Sequence, residues 1–127
     1  MTNLSNVADR IDVTGPKNAT AGIVDIYDIF GMAIQTLQGA DILATRLNAV
    51  VLVPDFFHGA AAQHDWIPPD TEEKQRLITD LIENQASIPK NVEVLREAVA
   101  AYRTVFPSVQ KWAALGLCWG GKVASWQ

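Results

Sequence analysis

Cysteine is almost missing from this chain: Cys118 is the one cysteine in 127 residues. That excludes an internal disulfide framework and a metal site built from cysteines alone. Long apolar runs are missing too, and none approaches the ~20 residues that a bilayer-crossing helix needs. The stretch from Met1 to Asp12 is polar and carries no apolar signal core, so the expected setting is the reducing cytosol, away from membranes. Basic residues are in deficit, with 10 Lys and Arg against 14 Asp and Glu and a net charge of −4. No basic patch is visible, which argues against a nucleic-acid partner. Charge is sparse at 19%, while apolar residues make up 49%. That balance belongs to a globular chain with a core, and the length suits one domain but not two.

Residues 1–11 read as a polar lead-in and 12–127 as one domain. Short apolar strands alternate with longer amphipathic segments, the pattern of a three-layer α/β/α sandwich with a mostly parallel sheet. Arg10 to Thr14 suits an edge-like strand that stops at Gly15-Pro16. Ala21 to Tyr27 suits a buried strand, apart from Asp25. A carboxylate there costs several kcal/mol if unpaired, so Asp25 needs a partner, a raised pKa or an edge position. Gln35 to Leu47 has helical spacing, with Leu37, Ala40, Leu43, Ala44 and Leu47 on one face. Ala49 to Val53 is a continuous apolar run ending at Pro54, as in a buried parallel strand.

Asp55 to Pro69 then reads as a long loop carrying Phe56, Phe57, His58, His64 and Trp66, and loops of this length are often functional. Asp70 is placed to cap a helix, with Glu73 three residues on. The stripe of that helix is Leu77, Ile78, Leu81 and Ile82. A further helix follows Pro89, with Val92, Leu95, Val99 and Tyr102 in register, and closes at Pro107. Lys111 to Leu117 suits the last strand, and Gly120 to Gln127 opens a last helix.

The chemistry concentrates in Gly116-Leu117-Cys118-Trp119-Gly120-Gly121, a G-x-C-x-G pattern between that strand and that helix. It has the form of a nucleophile elbow with cysteine in place of serine. A sharp strand-to-helix turn lifts the nucleophile clear of the sheet, and side chains two positions either side would collide, hence Gly116 and Gly120. The helix N-terminus favours thiolate and a developing oxyanion, with the Trp119 N–H as first donor. A buried, inert cysteine among packing glycines would have the same pattern. A phosphate-binding turn using Lys122 is disfavoured, because the G-x-x-x-x-G-K-[ST] and G-x-G-x-x-G spacings are absent.

Four ordered segments carry a resemblance: Val24-Asp25-Ile26-Tyr27-Asp28-Ile29-Phe30-Gly31, Gln35-Thr36-Leu37-Gln38-Gly39-Ala40-Asp41, Val53-Pro54-Asp55-Phe56-Phe57 and Gly116 to Lys122. Together the sequence resembles the dienelactone hydrolase family, with the flavour of its fungal branch, from about Asp12 onward. It covers most of this chain but about half of a family member. The resemblance implies an α/β-hydrolase fold, here truncated, and acyl transfer on small esters or lactones. It implies Cys118 as nucleophile and Asp28 as the acid that contacts the resting thiol. The oxyanion would be held by the backbone N–H groups of Ile29 and Trp119. Arg76 would loosely match a substrate-carboxylate arginine, with a solvated arginine on a helix face as the preferred reading. Neither a cofactor nor a metal is implied.

The family's triad runs nucleophile, Asp, His in chain order, yet no Asp or His follows Cys118. His58 and His64 are the only histidines. His58 falls at the same end of the sheet as Cys118, as a pocket residue, a solvent-facing one or a substitute base. The expectation is a hydrolase that is weak or inactive in this form, or a non-catalytic fragment or assembly module. The last strand would be left as an open edge, exposing Trp112, Trp119 and Trp126 in part and inviting self-association.

Overall fold

A computed structural model describes residues 11–125, so residues 1–10 of the expected lead-in and Trp126 lie outside the described residues, while Ile11, expected in the lead-in, opens the first strand. Strand β1 is Ile11–Thr14, β2 is Ala21–Ile26, β3 is Val50–Pro54 and β4 is Lys111–Gly116. Helices are α1 (Ile34–Leu47), α2 (Glu72–Glu83), α3 (Ile88–Val105) and α4 (Trp119–Ser125). The sheet order is β1-β3-β2-β4. β2 runs parallel to both β3 and β4, and β1 closes the other edge antiparallel to β3. The sandwich expected from the strand–helix alternation is present: β2 and β3 lie inside the sheet, with helices over both faces.

Side-chain alternation assigns the faces. Gly22 and Trp112 are neighbours across β2 and β4, and the Trp112 ring lies on the face where Tyr102 of α3 packs, 6.0 Å between centroids. Asp25 and Leu115 are neighbours on the opposite face. They share a cleft with Gln35, Thr36, Gly39 and Leu43 of α1. β3 is buried along its whole length, as its continuous Val-Val-Leu-Val run requires. It extends to Pro54, one residue past the expected end, because the missing Pro54 N–H costs nothing at a strand terminus.

Three local expectations need correction. α2 is capped by Thr71, whose Oγ1 accepts from the Lys74 N–H at 3.1 Å. Asp70, the expected cap, instead pairs with the Lys74 ammonium at 3.0 Å. Leu47 and Ile82, assigned to apolar stripes, are exposed, since each turns past the edge of its helix contact. The long loop is not wholly irregular, because His64–Trp66 form a 3-10 turn.

The core gathers Val24, Ile26, Tyr27, the whole of β3, Phe56, Phe57, Leu95, Tyr102, Trp119 and Val123. Trp119 does not lose the burial that an open edge led one to expect. It is 6% exposed, because its ring turns inward against Tyr27, Phe56 and Phe57. The exposure falls on β4 itself, where Lys111, Ala113, Ala114 and Leu115 are open to solvent.

Candidate functional site

β4 leaves the sheet at Gly116, and α4 begins at Trp119. Only two residues make the turn, so the backbone must reverse sharply. Cys118 absorbs that reversal at φ 58°, in the left-handed region that non-glycine residues seldom adopt. Its side chain is exposed and makes no hydrogen bond to another described residue. The turn is closed by the Gly120 N–H donating to the Leu117 carbonyl at 3.1 Å and the Lys122 N–H to the Cys118 carbonyl at 3.2 Å.

The two flanking glycines are there for space. A Cβ on Gly116 would sit 2.3 Å from the Gly120 carbonyl carbon, and one on Gly120 only 2.0 Å from the Ile26 oxygen. Strand, turn and helix therefore press backbone on backbone, and the end of β2 forms the floor.

Trp119 rivets the turn to the core. Its indole N–H donates to the Ala86 carbonyl at 2.8 Å, just before α3. Its ring lies 4.6 Å from that of Phe57. Phe57 belongs to a buried network that the chain's local patterns do not announce. The Tyr27 hydroxyl donates to Asp55 Oδ1 at 2.8 Å and accepts from the Phe57 N–H at 2.6 Å. Asp55 Oδ2 accepts from the Gly59 N–H at 3.0 Å. Burial first, then the adjacent Asp55 carboxylate, hold the Tyr27 phenol protonated well above its ordinary range. Asp55 is 4% exposed, so a strand-end Asp inside an apolar run was the signal that could have found it. The network fixes the loop that leaves β3 at the same end of the sheet as Cys118.

The other residues named from sequence are placed as follows. Asp28 Oδ1 accepts from the Phe30 N–H at 2.9 Å, a turn that shapes the loop after β2. No hydrogen bond joins it to the Cys118 thiol. Ile29 is half-buried, and its carbonyl accepts from the Ala62 N–H at 2.8 Å. Neither the Ile29 nor the Trp119 N–H donates to a turn or loop carbonyl among the described residues. His58 is exposed, at φ 53° in the loop after β3. His64 stacks on Phe30 with centroids 4.2 Å apart. Arg76 stands exposed on α2. The structure thus groups Cys118, Trp119 and the loops carrying Asp28, Ile29 and His58 at the carboxyl ends of the strands, and sets Arg76 on a separate helix.

Asp25 lines a cleft of about 410 Å³ with Asp28, Leu43, Leu115 and Leu117. Burial raises its carboxyl to about 6. Among the described residues no group of His, Cys, Asp and Glu is arranged to hold a metal ion. None of the described helices is long and apolar enough to cross a membrane.

The model of the dienelactone hydrolase family matches residues 11–126. The chain belongs to the dienelactone hydrolase family. Two uncharacterised AIM2 family proteins of Schizosaccharomyces pombe are similar, one 31% identical over 110 residues and the other 32% identical over 111. Each match covers 87% of this chain and 44% of the relative, so the chain spans less than half their length. The solved structure of m3DLH superposes with a TM-score of 0.57 at 23% identity, over 84% of this chain and 41% of that one. That likeness concerns the fold, which is the one expected from the motifs.

Proposed function

We propose that this chain is the nucleophile-bearing half of a hydrolase acting on small ester or lactone bonds, with Cys118 as the nucleophile. The observation that carries the reading is the exposed thiol at positive φ in a two-residue strand-to-helix turn, with glycines where any Cβ would clash. Packing alone gives no reason to hold a cysteine in that conformation, and membership of a hydrolase family supports the same chemistry.

In this reading the turn is a nucleophile elbow. The thiolate attacks the carbonyl carbon of a small ester or lactone, and the C=O electrons move to oxygen. The Ile29 and Trp119 N–H groups stabilise that oxyanion. Collapse expels the alkoxide, which takes a proton, and leaves an acyl-cysteine for water to hydrolyse. Asp28 serves beside the resting thiol through the carboxylate oxygen not held by Phe30, and His58 lines the substrate approach, whereas Arg76, exposed on α2, stands apart from this group. A free thiol of this kind suits a reducing, cytosolic setting. The neutral-to-acidic surface suits a small molecule better than a nucleic acid, and the chemistry calls for no cofactor.

Hydrolysis of the acyl-cysteine needs a base within hydrogen-bond reach of the attacking water. The two histidines are on the loop after β3 and stacked on Phe30, and neither bonds to the thiol. Acylation is therefore expected to outrun turnover. Mixing the protein with an aryl ester should release a burst of phenol matching the protein present, followed by a slow steady rate. Cys118→Ala should lose the burst. An equal burst in that variant overturns the proposal.

A further inference from the structure

We propose that the junction between α2 and α3 is the clamp that holds Cys118 in its strained conformation. The side chains of Asn91 and Trp119 are then positioning residues for acyl transfer at that thiol, a role that rests on the reading given above. Cys118 sits at φ 58°, and a residue so placed stays there only where its surroundings over-determine it. The bonds inside the turn do not supply that. The Gly120 N–H donates to the Leu117 carbonyl and the Lys122 N–H to the Cys118 carbonyl, so both bonds join the turn to itself and move with it. The closeness of Gly120 to the end of β2 limits how near the turn approaches, but a steric limit fixes no direction. A directional tie to the rest of the molecule is the Trp119 indole N–H, which donates to the Ala86 carbonyl at 2.8 Å.

That carbonyl is itself held in place. Asn91 is 2% exposed, and a buried amide is costly unless it is bonded. Its Nδ2 group donates to the Gln85 carbonyl at 2.9 Å and to the Ser87 carbonyl at 2.8 Å. The Ala86 N–H donates to the Leu81 carbonyl in the last turn of α2, at 2.7 Å. The carbonyls on both sides of Ala86 are therefore turned to Asn91, and the Ala86 carbonyl between them is left for Trp119. A simple helix connection needs no such side chain. The Ser87 carbonyl already accepts the Asn91 backbone N–H at 3.1 Å, and Gln85 is exposed, within reach of water. The side-chain bonds of Asn91 thus orient the junction and do not merely satisfy it.

Trp119 joins the clamp to the chemistry within one residue. Its side chain takes the Ala86 carbonyl and packs against the rings of Tyr27, Phe56 and Phe57. Its backbone N–H, the first of α4, is the oxyanion donor of the proposed reaction. An indole held at its N–H by a hydrogen bond and around its rings by packing leaves its own Cα little freedom. The peptide that links Trp119 to Cys118 is thereby oriented. Misplacing such a group by about 1 Å costs on the order of a hundredfold in rate. Asn91, on α3, therefore governs the aim of the donor through a single carbonyl.

The test uses three variants of the full 127-residue chain. Trp119→Phe keeps a ring and removes the N–H. Asn91→Leu keeps the size and removes both donors. Val92→Ala, at a buried neighbour on the same helix, loosens α3 without touching a bond of the clamp. Hydrogen exchange reads the turn itself. The Gly120 and Lys122 amides should exchange about tenfold or more faster in the first two variants, measured against the β3 amides of the same protein, and no faster in Val92→Ala. Reaction at Cys118 is then followed with an aryl ester and with iodoacetamide. In alkylation the sulfur bonds the reagent's carbon and iodide leaves, so no oxyanion forms. Alkylation in the first two variants should stay within about twofold of the parent, while the acylation rate constant at saturating ester falls about tenfold or more. The half-saturating ester concentration should not change. Turn amides as protected as in the parent overturn the clamp. Acylation and alkylation falling together, or Val92→Ala reproducing the loss, overturn the positioning role. A parent whose burst survives Cys118→Ala fails the chemical reading instead, and the exchange result still decides the clamp.

Discussion

Replacing Gly120 by alanine probes the turn at its tightest point. The added Cβ would lie 2.0 Å from the Ile26 oxygen, 2.6 Å from the Tyr27 oxygen and 2.7 Å from the Ile26 carbon. All three are main-chain atoms at the end of β2, so no rotamer change relieves them. Either α4 lifts away or the strand end shifts, and both options loosen Trp119 against Tyr27 and Phe57. Overpacking that side chains can accommodate costs about 1–3 kcal/mol, and a backbone displacement puts this case at the top of that range or about 1 kcal/mol beyond it. Gly39 supplies the contrast. A Cβ there meets nothing within 4 Å, and it lies inside α1, so Gly39→Ala should stabilise by about 0.5–1 kcal/mol. Urea denaturation followed by tryptophan fluorescence measures both. Gly120→Ala within about 0.5 kcal/mol of the parent, the range of an innocuous surface change, would refute the packing of α4 on β2.

Three further outcomes are expected. Tyr27→Phe strands the buried Asp55 Oδ1 and the Phe57 N–H, so urea midpoints should report a loss of about 2–4 kcal/mol. Tyr102→Phe should do the opposite, because the Tyr102 hydroxyl is buried without a partner among the described residues, and removing it should be neutral or stabilise by about 1 kcal/mol in the same assay. For Asp25, the folded carboxyl at about 6 lies above its ordinary 3.8. The fold therefore prefers the protonated form, a contribution fully present below the ordinary value and lost as pH rises through about 6. At face value the difference is about 3 kcal/mol, and solvent reaching this half-exposed group reduces it to about 1 kcal/mol. Asp25→Asn should therefore gain about 1 kcal/mol over the parent at pH 7 and nothing near pH 4, read by urea melts in dilute protein; a constant difference across that range contradicts the assignment.

The order of strands and helices was legible because each core element wears its period openly. Val-Val-Leu-Val can only be a buried strand at that length, and α3 keeps its apolar residues on a 3.6 spacing. The turn at Cys118 was legible for a local reason, since glycines two residues either side of a cysteine mark a bend too tight for a Cβ at either place. What sequence could not show depends on pairs distant in the chain. Tyr27 and Asp55 are 28 residues apart, and although Asp55 stands out at the end of an apolar run, its partner is set only once β2 and β3 lie side by side. Trp119 misled in the same way: exposure was expected because the neighbouring edge is open, but the side chain points inward to Ala86. Asp25 announced itself as a misfit in an apolar strand, while its cleft became visible only once α1 and Leu115 were placed.

The central proposal is that the Cys118 thiol on the β4–α4 turn is a reactive nucleophile, with the Ile29 and Trp119 amides as its oxyanion donors. Intact-mass spectrometry after brief exposure to an aryl ester, followed by peptide mapping, tests it directly. The expected result is one acyl group, on Cys118, released as a thioester by hydroxylamine and absent from Gly116→Ala, whose turn cannot close. Acyl groups scattered over lysines with Cys118 unmodified would contradict it.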